Sequence, residues 1–279
     1  MPYPGPRALL DKYRLRAKKG WGQNFLGDEA VLDAIARLAV ERQGEVVVEL
    51  GAGLGHLTAR LLDRGARVVA VERDRDMARV LRGELGGAVR LLEADAARLD
   101  YRALAAGAGE GGRVAVVGNL PYHLTSPILF SLLDQSDALS RAVLLLQLEV
   151  AERLAASPGT KAWGLLSVLL QQQAEVTVER RVSPGAFLPP PKVESAVVRL
   201  AFGPPRVEVT DQGAFRRLVK AGFAQRRKTL SNALRAARLG SPAAIAAALQ
   251  SAGIDPSRRG ETLAVAEWAA LERALAGGG

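Results

Sequence analysis

The sequence contains no cysteine. That excludes a disulfide framework, a zinc–thiolate site and a thiol nucleophile. It has only two histidines, His56 and His123, too few for a histidine-rich metal centre, so no metal is expected. No apolar run reaches the ~18–20 residues of a membrane span. The stretch from Met1 to Lys19 carries Arg7, Lys12, Arg14, Arg16, Lys18 and Lys19 but no apolar h-region, which excludes a secretory signal. A cytoplasmic protein with no membrane partner is the expectation. Nothing in the sequence demands more than a monomer.

What is present is a chain of 279 residues with 48% apolar content, enough for one large domain or a large and a small one. The formal net charge is +9. From Pro205 to the end there are 12 Lys and Arg against 6 Asp and Glu, so most of the surplus lies in the last quarter. Such a surplus favours a polyanion partner, nucleic acid before a membrane surface. A merely basic soluble protein is the plain alternative.

The chain opens on a basic arm over residues 1–27. Asp28 can cap a helix to about Glu41, with apolar residues at 31, 32, 35, 38 and 39. Strands are predicted at 45–50, 67–71, 89–92, 113–117 and 142–147, with helices at 55–62, 74–85 and 126–133 between them. This alternation implies a mostly parallel, doubly wound sheet. Helices fit 149–156 and 164–173, and strands fit 175–182 and 195–202. Pro189, Pro190 and Pro191 remove three backbone donors, so their segment is an extended loop. Pro204-Pro205 marks a domain boundary. Helices at about 211–223, 227–238, 242–251 and 263–276 follow it.

Gly51-x-Gly53-x-Gly55 lies between a predicted strand and a helix, where glycines let backbone approach a ligand. Glu72 ends the next strand and can take two ribose hydroxyls. Asp95 follows the third strand and can accept an adenine amine. One such acid is usually a cap; two after successive strands, beside a glycine-rich loop, favour an adenosine-type cofactor. NAD and S-adenosylmethionine both fit these residues. The absence of Gly-x-Gly-x-x-Gly spacing favours the second. So does Asn119-Leu120-Pro121-Tyr122 after the fourth strand. That stretch presents a carboxamide, an outward backbone carbonyl and a ring, a set suited to a planar base whose amine must react. An ordinary strand-to-helix turn is the competing reading for those four residues.

The chain also holds, in order, Gly22-Gln-Asn-Phe-Leu26, Glu49-Leu-Gly-Ala-Gly-Leu-Gly55, Glu72, Asp95, Asn119-Leu-Pro-Tyr122, Gln147-x-Glu149-Val150, Phe187-x-Pro-Pro-Pro-Lys-Val193 and Phe223-x-Gln-Arg-Arg-Lys-Thr229. This set resembles the ribosomal RNA small-subunit adenine dimethyltransferase family, KsgA type, from about residue 20 to 270. The resemblance implies a class I (Rossmann-like) S-adenosylmethionine-dependent methyltransferase fold over 1–203, basic arm included. It also implies a small all-helical domain that binds RNA or the ribosome over 204–279.

The implied reaction is dimethylation of N6 of two adjacent adenosines near the 3′ end of small-subunit rRNA. The implied partner is that rRNA within the immature small subunit, with a role in its maturation. Cofactor positions carry over to Asn24, Leu26, Gly51, Glu72, Asp95 and Asn119, with Gly53 in the same glycine turn. Asn119 and Leu120 are the implied acceptors of the amine, and Tyr122 and Phe187 the aromatic pair that holds the base. Arg226, Arg227 and Lys228 are the expected phosphate contacts. His123, Leu148 and Trp163 depart from the family's usual Asn, Lys and Tyr. Large-subunit dimethylation, DNA adenine methylation, a purely ribosome-assembly role and, more remotely, a dehydrogenase are the competing functions.

Overall fold

Val46–Leu50 is buried along its whole length, on both faces. A β-branched run covered on both sides belongs in the middle of a parallel sheet sandwiched by helices. The computed structural model places it there. The structure describes residues 3–108, 112–225 and 227–277. Its strands are β1 (Phe25–Leu26), β2 (Val46–Leu50), β3 (Arg67–Val71), β4 (Arg90–Leu92), β5 (Val114–Asn119), β6 (Leu139–Gln147), β7 (Ala174–Val182), β8 (Phe187–Leu188) and β9 (Ser195–Phe202). A seven-stranded sheet has the order β4-β3-β2-β5-β6-β9-β7. The pairings from β4 to β6 are all parallel, and β9 runs antiparallel to β6. This is the doubly wound sheet expected of the methyltransferase fold. A separate antiparallel pair sets Phe25 opposite Leu188 and Leu26 opposite Phe187.

The helices are α1 (Pro6–Lys12), α2 (Glu29–Ala39), α3 (His56–Asp63), α4 (Arg75–Leu85), α5 (Tyr101–Ala106), α6 (Thr125–Asp134), α7 (Leu148–Leu154), α8 (Leu165–Gln173), α9 (Gln212–Ala224), α10 (Leu230–Ala236), α11 (Pro242–Ser251) and α12 (Val265–Gly277). Aspartates begin many of them. Asp28 accepts the Val31 N–H at 2.9 Å, and Asp74, Asp100 and Asp211 cap α4, α5 and α9 in the same way. Val31, Leu32, Ile35, Ala36 and Ala39 turn one face of α2 into a core shared with Val47, Val117, Val143 and Leu145.

The chain forms two compact units. One is Met1–Ala151 with Thr177–Phe202; the other is Glu152–Val176 with Gly203–Gly279. The sequence reading placed 152–176 in the first domain. In the structure these residues cluster with the helical unit. Trp163 is fully buried there and donates its indole N–H to the Leu263 carbonyl at 3.1 Å. Gln172 donates to the Val207 carbonyl at 2.8 Å.

Three further expectations are corrected. The first 27 residues are not a free basic arm, because α1 buries Leu9 completely in a cluster with Phe25, Leu54, Met77 and Val80. Truncating such a leucine costs about 2–5 kcal/mol, so the segment is an integral part of the core. α5 was not expected at all. The helix predicted over 227–238 starts at Leu230, where Thr229 caps it, and ends before Arg238, whose φ is +56°.

Candidate active site

Strand register assembles the site. Leu50 stands opposite Val71 in β3 and opposite Gly118 in β5, and Val71 stands opposite Leu92 in β4. Neighbouring strands therefore end together, and Gly51, Glu72 and Asn119 meet at one sheet edge. Gly118 permits the close approach: a Cβ there would stand 2.8 Å from the Leu50 carbonyl oxygen.

A cavity of about 330 Å³ opens at this edge, lined among others by Gly51, Glu72, Asp95, Leu120, Pro121 and His123. A second, of about 90 Å³, shares Trp21, Gly51, Glu72, Leu120 and Pro121 and adds Asn24, Gly53, Asn119 and Tyr122. Eight of the sequence-predicted residues, Asn24, Gly51, Gly53, Glu72, Asp95, Asn119, Leu120 and Tyr122, thus line one or both cavities.

Glu72 is nearly buried. Its Oε2 accepts the Gly53 N–H at 2.8 Å and its Oε1 the Asp74 N–H at 2.7 Å. Burial pushes its carboxyl above the usual carboxylate range, and the backbone N–H groups of Asp74, Gly53 and Arg73 work against that. Each oxygen keeps a further acceptor site for a ligand hydroxyl. Asp95 accepts the Ala97 N–H at 3.0 Å, and its Oδ2 lies 3.6 Å from the Arg73 guanidinium.

The carboxamide of Asn119 donates to the Asn24 backbone carbonyl at 2.9 Å, and Asn24 donates its own side-chain N–H to the Gly22 carbonyl at 3.1 Å. A carbonyl only accepts, so Asn119 must present its nitrogen there and keep Oδ1 as an acceptor. The Leu120 side chain is buried. Pro121 follows at φ −57° and ψ 129°, and Tyr122 opens a short 3-10 turn. The Tyr122 hydroxyl lies 3.2 Å from the buried Ser195 hydroxyl in β9, which anchors the ring at its far end.

Two predicted residues stand apart from the cavity walls. Phe187 is 5% exposed and packs in the main core with Leu26, which is also 5% exposed. They face each other across the β1–β8 pair.

Sequence reasoning missed the groups that tie the N-terminal segment to the site. Lys18 pairs with Asp74 and Asp76, both at 2.7 Å. Gln23 donates to Asp74 at 2.8 Å. Burial raises the Asp74 carboxyl, but Lys18, the Asp76 N–H and Gln23 outweigh it and hold Asp74 below its ordinary value. The only hint was a basic stretch next to Gly-Gln-Asn-Phe. His56, the first residue of α3, is packed against Tyr3 edge to face, and burial pushes its imidazole down to about 4.

Arg227 and Lys228 are exposed in the link between α9 and α10. Arg226 lies outside the described residues. Among the described residues no group of three or more His, Asp and Glu side chains could hold a metal ion, and no helix is long and apolar enough to cross a membrane.

The family model of ribosomal RNA adenine dimethylases matches residues 14–276, nearly the whole chain. The chain belongs to the ribosomal RNA adenine dimethylase family. It is 72% identical over 279 residues to the ribosomal RNA small subunit methyltransferase A of Anaeromyxobacter dehalogenans, covering 98% of each protein. It is 53% identical to the protein of the same name from Myxococcus xanthus, over 97% of this chain and 95% of that one. Among solved structures, the 23S rRNA methyltransferase ErmE superimposes with a TM-score of 0.69 at 27% identity, over 91% of this chain and all of that one. A dimethyladenosine transferase from Plasmodium falciparum superimposes with a TM-score of 0.75 at 24% identity, over 88% and 95% of the two chains, which speaks to the fold. The resemblance seen in the sequence motifs is therefore that of a true family member, and the methyltransferase fold is shared with its structural neighbours.

Proposed function

We propose that the protein dimethylates N6 of two adjacent adenosines near the 3′ end of small-subunit rRNA, with S-adenosylmethionine as donor. The substrate in this reading is rRNA within the immature small subunit, and the enzyme acts as a cytoplasmic monomer. The observation that carries the reading is the Asn119–Asn24 bond, which leaves Asn119 Oδ1 as a fixed acceptor at the cavity wall. Relatives at 72% and 53% identity bear the name ribosomal RNA small subunit methyltransferase A, which supports the choice of substrate.

The residues present fit the donor. Gly53, at φ +55°, a backbone conformation that side chains rarely adopt, donates its N–H to Glu72. The glycine turn therefore keeps backbone and nothing bulkier on the cavity wall. Glu72 would hold ribose hydroxyls and Asp95 the adenine amine, with Asn24, Leu26 and Gly51 supporting the rest. When bound, S-adenosylmethionine supplies an electrophilic methyl group.

The chain's own residues do the remaining work. An adenine amine is a poor nucleophile because its lone pair is conjugated with the ring. Asn119 Oδ1 and the Leu120 carbonyl accept its two N–H groups, favour a tetrahedral nitrogen and stabilise the positive charge that develops on it. Tyr122 stacks on the base, which must leave its own stack to enter. Phe187 completes the aromatic pair only if it turns out of the core. Holding the reactants in place supplies much of the rate. The alkylated nitrogen is acidic enough to lose its proton without a strong base. After the first transfer one N–H remains, and one acceptor suffices for the second.

The test is labelled methyl transfer to unmethylated small subunits, naked rRNA and duplex DNA. Transfer of up to four methyl groups to adjacent adenosines of the subunit supports the reading. Transfer only to naked large-subunit RNA moves the protein to the other substrate. Tight subunit binding without transfer turns the function into assembly.

A further inference from the structure

Trp21 is 44% exposed, whereas Trp163 and Trp268 are fully buried. One exposed apolar side chain needs no explanation by itself. This one stands on the walls of both cavities of the site. It ends the 3-10 turn Lys19–Trp21, and Gly22 beyond it takes a φ of +66°. Two cations attend its ring. The Lys18 ammonium and the Arg73 guanidinium each lie 5.6 Å from the ring centroid.

The two cations are not equivalent. Lys18 is held by two carboxylates at 2.7 Å. Arg73 is 64% exposed and reaches one carboxylate, Asp95, at 3.6 Å. Lys18 is thus held in place beside the ring, and Arg73 is free to be displaced. Trp21 therefore offers a partly exposed aromatic face on the wall of a cavity that Asn119 and Tyr122 also line.

Drawing one adenine out of an RNA stack strips its neighbour of a stacking partner. The loss opposes entry unless the protein replaces that partner. Any base will stack on an exposed tryptophan, and arginine beside it suits the linking phosphate. We propose that Trp21 is the stacking platform for the RNA base adjacent to the adenine in the site, with Arg73 meeting the phosphate between them. The proposal rests on the rRNA-methylation reading above. Glu72 and Asp95 line the same cavity and offer acceptors for the cofactor's ribose and adenine amine, so the two ligands are told apart by measuring each separately.

Because the other two tryptophans are buried, Trp21 is the tryptophan open to a quencher. Acrylamide quenching is measured with the single-stranded tetranucleotide ApApApA and, separately, with S-adenosylhomocysteine. The tetranucleotide is expected to remove Trp21 from acrylamide, and S-adenosylhomocysteine to leave it accessible. Trp21→Ala is expected to raise KM for unmethylated small subunits about tenfold, the size of one lost base–aromatic stack, with S-adenosylhomocysteine affinity held. Trp21→Phe restores most of the loss. Protection by S-adenosylhomocysteine alone, with weakened binding of it in Trp21→Ala, makes Trp21 a cofactor cover and overturns the proposal. An unchanged KM overturns it too. Quenching needs no turnover, so a wild-type protein that transfers no methyl group strikes the functional reading and leaves this one to be judged by the tetranucleotide.

Discussion

The Asn119 carboxamide reaches across 95 residues of sequence to donate to the Asn24 carbonyl at 2.9 Å. The bond joins the end of β5 to the segment just before β1. One wall of the site is thereby fixed to another, and the acceptor oxygen of Asn119 is set before any substrate arrives. Pre-set polar groups of this kind cost no reorganisation when charge develops.

Asn119→Ala removes that acceptor without touching Glu72 or Asp95. Methyl transfer is expected to fall by about 10²–10³, as for the loss of one pre-set hydrogen-bonding group in other enzymes. Cofactor affinity should stay within several-fold. Single-turnover transfer and calorimetric binding of S-adenosylhomocysteine measure the two separately. Undiminished transfer takes Asn119 out of the reaction.

Glu49 gives the fold a pH dependence. Its side chain is buried beneath the site and accepts the Thr58 hydroxyl at 2.6 Å. Burial first, and the Glu72 charge as well, push its carboxyl up to about 8, against the help of Thr58. The folded state therefore holds a proton that the unfolded chain has released above its ordinary value of 4.5. Stability is fully present below that value and is lost as pH rises towards about 8. Tm should fall between pH ~5 and pH ~8 for this reason. Glu49→Gln, neutral throughout, should make the fall shallower; the same slope in both proteins would show that Glu49 is charged in the folded state.

Much of this was readable from the sequence because of how parallel sheets are built. Strands buried on both faces appear as runs such as Val46-Val-Val, and a cavity-lining acid appears just past a strand end, as Glu72 does. The N-terminal segment was unreadable for the opposite reason. Arg7, Lys12, Arg14 and Arg16 mask a two-turn helix whose Leu9 finds its partners in Phe25, Leu54, Met77 and Val80, far along the chain. Lys18 likewise looks like a solvated charge until Asp74 and Asp76 are brought to it. Phe187 shows a further limit. An aromatic in a proline-rich loop reads the same whether its ring faces a ligand or the core, and here it is in the core.

In the helical unit, Gly222 and Trp268 are packed without slack. A Cβ at Gly222 would lie 2.2 Å from Cη2 of Trp268, a ring with no exposed surface. Alanine would add about 1 kcal/mol of helix propensity inside α9. Overpacking a rigid core costs about 1–3 kcal/mol or more, so Gly222→Ala should be a net loss in urea unfolding. Adding Trp268→Phe removes the clashing atoms and should return part of the stability. A Gly222→Ala protein as stable as the parent would mean that the indole has room to shift.

The link between α9 and α10 carries the prediction about RNA affinity. Arg227 and Lys228 are exposed there, in the quarter of the chain that holds 12 of the basic residues. A solvated basic face and a phosphate contact differ in one measurable respect. Each cation that neutralises a phosphate releases counterions, and the slope of log affinity against log salt steepens by about 0.7–0.9 per contact. Arg227→Gln with Lys228→Gln should therefore weaken binding to small-subunit rRNA at low salt and make the slope shallower by about 1.4–1.8. The loss should be similar for unrelated RNA, since phosphate contacts position RNA without reading it. Binding of S-adenosylhomocysteine, which we propose Glu72 and Asp95 hold, should not change. A slope equal to that of the parent would leave these two residues as solvated charges and move the electrostatic contact elsewhere on the protein.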